Sequence, residues 1–274
     1  MNRGLWFGAW LLFVAALTTV WLGGRMLDRD AVLGRTQASI EATALLLEQH
    51  AARALEAGDR VLQALAALHD GGQSLDEAQG RRLLEQIHRL TEGSPQVTAA
   101  WIMNAEAQTL VESWGFPPRT QRPLPDRHYF QVHRTNPDQG LFIGPTEIGN
   151  ATGRPRFTLS RGLRGPDGGF AGVVAVGVYS EYFANLYSIA PLMPGARLAL
   201  STQDGQPLAV WPPGARPARD GELTTGREVT GFPLRVSVSQ PLNSVLADWR
   251  RRSWATGAVV ALSLLCFGAL TVLG

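Results

Sequence analysis

Both ends of the chain are apolar runs without a single charge, Leu5 to Leu22 and Trp254 to Gly274, and any fold must place them. The first holds 18 residues; at about 1.5 Å per helical residue it reaches roughly 27 Å, close to the hydrocarbon thickness of a bilayer. Tryptophans stand at its flanks and at those of the second run (Trp6, Trp10, Trp21, Trp249, Trp254), where amphipathic rings meet lipid headgroups. A cleaved signal peptide is the alternative for the first run, but the run is long for one and no small-x-small pattern follows it. The second run, uncharged over 21 residues, would aggregate in water. The expectation is transmembrane helix 1 over residues 5–22, transmembrane helix 2 over 254–274, and residues 25–253 outside the cytoplasm. Arg3 favours an inside start, whereas Arg250, Arg251 and Arg252 then sit outside, against the positive-inside tendency.

Composition removes several function classes. The 274 residues carry 25 Arg, no Lys, and 23 Asp and Glu, a net charge of +2. That is too near neutral for a nucleic-acid binder held by phosphate contacts. One cysteine, Cys266, excludes an intramolecular disulfide and a thiolate zinc site. His50, His69 and His88 lack metal-ligand spacing, so no metal is expected. A chain without Lys performs no Schiff-base chemistry. There is no Gly-x-Ser-x-Gly elbow, phosphate-binding glycine loop or His-Glu-x-x-His. No catalytic residue, cofactor or enzyme activity is expected.

The middle opens on one long helix. Leu33, Ile40, Leu47, Ala54, Val61 and Leu68 recur every seven residues, with small residues such as Ala44 and Ala51 beside them. Such a seam packs on a domain's own core or on a second copy of the helix, and the pattern admits both. Gly71-Gly72 should end this stalk (residues 26–70), and Ser74 with Glu77 should cap a short helix to Leu90. From Val97 the period changes to that of strands: Val97–Asn104, Gln108–Trp114, Arg156–Leu163 and Phe170–Val178, with a helix over Arg127–Arg134 capped by Asp126 and another over Ser180–Ile189. A shorter set follows: Arg197–Thr202, Pro207–Trp211, Glu228–Thr230 and Leu234–Gln240. A helix from Pro241 to Arg252 leads into the second span. The fold class is α+β: a long N-terminal helix bearing two antiparallel-sheet modules, distal over residues 71–190 and proximal over 191–246, flanked by two transmembrane helices.

This layout resembles the double Cache (tandem PAS-like) extracytoplasmic sensor domains, in particular those found ahead of diguanylate cyclases and histidine kinases. The residues that carry the resemblance are Asp126-Arg127-His128-Tyr129-Phe130-Gln131-Val132-His133, Gly140-Leu141-Phe142-Ile143-Gly144-Pro145, Thr158-Leu159-Ser160-Arg161, Gly168-Gly169-Phe170-Ala171-Gly172-Val173-Val174 and Tyr182-Phe183. The resemblance implies a small-molecule ligand in the distal module, a place in the bacterial inner membrane, and a signal passed through transmembrane helix 2 to a cytoplasmic output domain absent from this chain. The amino-acid-binding branch of that family has an Arg-x-Trp-Tyr stretch, an acid two residues later, and an Asp at the end of a late strand. Here Arg127 matches the Arg, while Val132 and Tyr179 stand where the two acids should be. A buried ammonium without a carboxylate costs several kcal/mol, so an α-amino acid is not the expected ligand.

The candidate ligand-binding residues are Arg127, Tyr129, His133, Thr158, Ser160, Arg161 and Tyr179. Two guanidiniums offer planar donor forks for a carboxylate or phosphate. His133 donates or accepts near neutral pH, and Thr158 and Ser160 alternate with Leu159 and so share one sheet face. The set points to a small organic anion. Each member has a plainer role open to it: Arg127 closing its own loop, Arg161 facing solvent, His133 and Tyr129 as core. The competing function is a membrane-anchored dimerisation or interaction protein without a small-molecule ligand, its homodimer formed through the stalk.

Overall fold

The computed structural model describes residues 3–69, 75–149, 153–188, 194–215 and 221–273. The expected module boundaries at 71 and 190–191, the Gly71-Gly72 stop and the Ser74 cap lie outside them. Helix α1 runs unbroken from Arg3 to Leu68, 66 residues, about 100 Å at 1.5 Å per residue. Stalk and first span are therefore one element. The sequence permits this because its first proline is Pro95, and proline is the residue that most sharply breaks a helix. Ile40, Leu47, Ala54 and Val61 are buried, and all four belong to the chain's own apolar core. The heptad seam is thus an intramolecular packing face over this length.

Helix α2 (Glu77–Thr91) is closed at its start by a reciprocal pair. Gln79 N–H donates to Asp76 Oδ1 at 2.7 Å, and Asp76 N–H donates to Gln79 Oε1 at 2.9 Å. The box is the expected one moved two residues along, since Asp76 and Gln79 supply the same acceptor chemistry. Strands β1 (Val97–Asn104) and β2 (Thr109–Glu112) form a hairpin. Helix α3 (His128–Thr135) starts one residue later than expected, with Arg127 rather than Asp126 in the cap position and no side-chain cap. Then come β3 (Phe142–Ile143), β4 (Glu147–Ile148), β5 (Pro155–Arg164) and β6 (Phe170–Tyr179). Together these strands make an antiparallel sheet of order β2-β1-β6-β5-β3, with β4 also on β5.

Helix α4 (Ser180–Ser188) leads to the second sheet: β7 (Arg197–Thr202), β8 (Pro207–Trp211), β9 (Glu222–Glu228) and β10 (Leu234–Pro241), ordered β8-β7-β10-β9. β9 lies earlier than the expected Glu228–Thr230. Its sequence, ELTTGRE, has one apolar residue, so pairing with β10, not alternation, defines it. Helix α5 (Leu242–Val245) is a single turn, and α6 (Ala247–Leu273) starts afresh after Leu246. The expected continuous helix from Pro241 therefore has a joint in it.

Both sheets lie on α1 and share one continuous apolar cluster, from Ile40 through Leu159 to Val238. The first sheet sits on the far part of the stalk: a Cβ on Gly58 would stand 2.7 Å from Leu159 Cδ1, so a larger residue there would have to push that side chain aside. The second sheet sits nearer the apolar end, where Thr230 N–H donates to Glu48 Oε1 at 3.0 Å. That bond holds the Glu48 carboxyl below its ordinary range. Helices α1 and α6 run side by side. Trp249 Nε1 donates to the Arg25 carbonyl at 3.3 Å, and Trp21 covers Gly257. Both helices are long and apolar enough to cross a membrane.

Candidate binding site

Alternation along β5 decides what can meet in the first module. Phe157, Leu159 and Leu163 point to α1 and join the core there. Arg156, Thr158 and Ser160 point to the other face, which α3 and the segment before it cover. On that face a cavity of about 250 Å³ is lined by Trp101, Thr109, Glu112, Trp114, Arg119, Thr120, Leu124, Arg127, Tyr129 and Arg156.

Arg156 is its deepest cation, 8% exposed. Its guanidinium lies 4.9 Å from the centre of the Trp101 ring, a stacking that a desolvated cation favours. Gly177 makes room for it, because a Cβ there would come within 3.2 Å of Arg156 Nη1. Glu147 bridges two guanidiniums: Oε2 lies 2.9 Å from Arg127 Nη1 and Oε1 3.5 Å from Arg156 Nη2. Tyr129 meets Trp101 edge to face, with ring centres 5.6 Å apart. Burial pushes its hydroxyl up to about 12, so it stays protonated as a donor. Glu112 is buried, and its Oε1 accepts from Arg119 N–H at 2.6 Å. Arg119 lies 6.0 Å from the Trp114 ring centre. Three guanidiniums thus line the cavity against one carboxylate, and Glu147 behind them engages two of the three. Arg156 Nε and Thr158 Oγ1 are buried without a hydrogen-bond partner among the described residues, a costly state for polar atoms.

No protein-family profile and no curated protein sequence matches the chain. Solved structures do. The extracellular domain of rpHK1S-Z16, described as a histidine kinase, is 26% identical with a TM-score of 0.67, over 79% of this chain and 99% of that one. The ligand-binding domain of the Pseudomonas aeruginosa amino-acid chemoreceptor PctC, solved with GABA, is 18% identical with a TM-score of 0.57, over 75% and 99%. That of the Pseudomonas fluorescens chemoreceptor CtaA, solved with L-leucine, is 14% identical with a TM-score of 0.61, over 79% and 99%. The chain carries a double Cache sensor domain. With apolar helices at both ends, its arrangement is that of a two-pass membrane protein with an extracytoplasmic domain.

Within this double Cache domain the seven candidate residues separate. Arg127 and Tyr129 line the cavity. Thr158 lies on the same sheet face, two residues from Arg156. Ser160 and His133 form a buried pair beside it, Nε2 to Oγ 3.0 Å. Burial holds His133 neutral, with a pKa lowered to about 4. Tyr179 is on this face at the sheet's end, 5.6 Å below the Arg154 guanidinium and away from the cavity lining. Arg161 is not brought to the cavity. It has the opposite parity to Thr158 and Ser160, so it faces α1, where Nε and Nη2 grip Asp59 at 2.6 and 2.9 Å. Arg119, Arg156, Glu112 and Glu147 are the residues that sequence reasoning left out.

Proposed function

We propose that this chain is the ligand-sensing part of a bacterial inner-membrane signalling receptor, taking a small organic anion into the distal cavity. The observation that carries this is Arg156: buried, its guanidinium over the Trp101 ring, tied to Arg127 through Glu147, and part of the cavity wall. A carboxylate is the group that satisfies such a fork. The signal then passes through the proximal sheet and α6 to a cytoplasmic output domain of the histidine kinase or diguanylate cyclase type. The rpHK1S-Z16 likeness supports the former class. The stalk pairs two copies through its outer face, where Leu46 is 66% exposed and Leu45 38% exposed.

One observation favours a second ligand class. Glu112 brings a carboxylate to the cavity wall that neither Val132 nor Tyr179 supplies, and it is placed to receive an ammonium. An amino acid, the ligand class of PctC and CtaA, is then read by Arg156 and Arg127 at one end and Glu112 at the other. Thermal unfolding of the full chain in detergent, against carboxylates with and without an amino group, separates the two. At a hundred times Kd a ligand adds about 2.7 kcal/mol, a rise of roughly 5–11 °C for a domain of this size. Arg127→Ala should abolish the rise in either case. Glu112→Gln should abolish it for amino acids alone. If no carboxylate raises the midpoint, the ligand-free interaction role takes its place.

A further inference from the structure

The distal site gives no role to Arg250, Arg251 and Arg252, which stand outside the membrane against the usual charge asymmetry. The structure divides them. Arg250 Nη2 donates to the Asn243 carbonyl at 2.7 Å. Arg251 reaches Asp248 at 3.9 Å, both side chains almost fully in solvent. Arg252 instead lines a second cavity, about 360 Å³, at the foot of the domain. Facing it there are Arg35, Thr36 and Ser39 of α1, Ser244 of α5 and Asp248 of α6. Arg35 Nε donates to the Ala31 carbonyl at 3.2 Å. Among the described residues neither Arg35 nor Arg252 has a carboxylate within ion-pair distance. Thr36 Oγ1 donates to the Val32 carbonyl at 2.9 Å, so two guanidiniums and the Ser39 and Ser244 hydroxyls stand against one carboxylate, Asp248, which leaves the cavity net cationic and a donor set for a phosphate.

Its depth identifies the source of that phosphate. Trp21 and Trp249 hold the Arg25 guanidinium between them, 4.7 and 5.2 Å from the ring centres, and Trp254 is 80% exposed. This aromatic and cationic belt marks the membrane–water boundary. Arg252 lies two residues above Trp254, and Arg35 ten above Arg25, or about 15 Å along the helix. The headgroup layer is about 5–8 Å deep on each side, and an arginine side chain extends well beyond its backbone. A phosphodiester rising from the outer leaflet meets Arg252 at its own level, with Arg35 above it. We propose that this cavity binds the headgroup of an anionic phospholipid, its phosphate held between Arg35 and Arg252. A choline headgroup, carrying a cation, is disfavoured beside two guanidiniums.

The test is native mass spectrometry of the full chain, released from detergent after equilibration with equal phosphatidylglycerol and phosphatidylcholine. Wild type should retain phosphatidylglycerol preferentially by about tenfold, on the order of one added charge-assisted contact. The double variant Arg35→Gln/Arg252→Gln should fall to parity, and so should Ser39→Trp, which fills the cavity without changing charge. Arg250→Gln/Arg251→Gln loses the same charge outside the cavity and should keep the preference. Equal loss in both double variants would reduce the effect to diffuse surface charge and overturn the site, as would an indifferent wild type. Displacement of the lipid by millimolar inorganic phosphate or glycerol 3-phosphate would assign the cavity to soluble phosphates instead. None of these outcomes depends on the distal ligand.

Discussion

Arg156 and Arg161 are five residues apart on one strand and have opposite roles, which two substitutions should separate. Arg156→Ala should remove the ligand-induced rise in unfolding temperature. Arg161→Ala should keep that rise while lowering the starting stability by about 1–3 kcal/mol, because it leaves Asp59 without its half-buried partner. Loss of the ligand response in Arg161→Ala would refute the face assignment. The distinction was open to inspection in the sequence: Arg156 shares the parity of Thr158 and Ser160, and Arg161 does not. Glu112 and Glu147 were not so legible, because the strand register that sets them opposite Trp101 and Arg156 leaves no mark in the local residue pattern. His133 allows a test with pH. Its folded pKa of about 4 lies below the ordinary 6.5, so the unfolded chain takes up the proton first as pH falls. Its contribution is complete above about pH 6.5 and is lost progressively down to about pH 4, by up to about 3 kcal/mol. Unfolding midpoints of His133→Asn should fall less steeply over that window than those of wild type. His50, shifted the same way by burial beside Tyr182, leaves part of the slope in place.

At the scale of elements, α1 has two apolar faces with different duties. Leu47 is 5% exposed and inside the core, whereas its neighbour Leu46 is 66% exposed. Leu47→Ala should cost about 2–5 kcal/mol, and Leu46→Ala should stay within about 0.5 kcal/mol of wild type. Denaturant unfolding checks both. Analytical ultracentrifugation of Leu46→Asp checks the proposed outer dimer face, which a monomeric wild type would exclude. The heptad repeat was plain in the sequence, but what it packed on was not, since a core face and a partner seam present the same spacing. Long strands such as β5 and β6 announced themselves by apolar runs. β3 and β4, two residues each, and the polar edge strand β9 exist through their partners and left no local pattern.

For the whole molecule, the question is how a cavity at the far end of α1 reaches the second span. The two sheets and the stalk share one core, so a shift in the distal module is passed on rather than absorbed by a loose linker. The proximal sheet ends in β10, α5 and the joint at Leu246, after which α6 runs unbroken to Leu273. Under the proposed signalling role α6 moves at that joint as a rigid rod against α1, and the surface between them is a contact of small and aromatic residues: Trp21 on Gly257, Trp10 beside Gly268, and Phe13 with Phe267 at 4.9 Å between ring centres. A ligand that binds one conformer better by 1–3 kcal/mol shifts this equilibrium by 5- to 150-fold. In a Cys266→Ser background, cysteines at positions 13 and 267 should therefore cross-link at a rate that changes when the carboxylate identified by thermal unfolding is added. The change should vanish with Arg127→Ala, which removes the ligand contact but lies far from both spans. A rate indifferent to ligand in the otherwise wild-type chain would mean that α1 and α6 are fixed to each other in the membrane, and that any signal leaves by movement between two copies rather than within one.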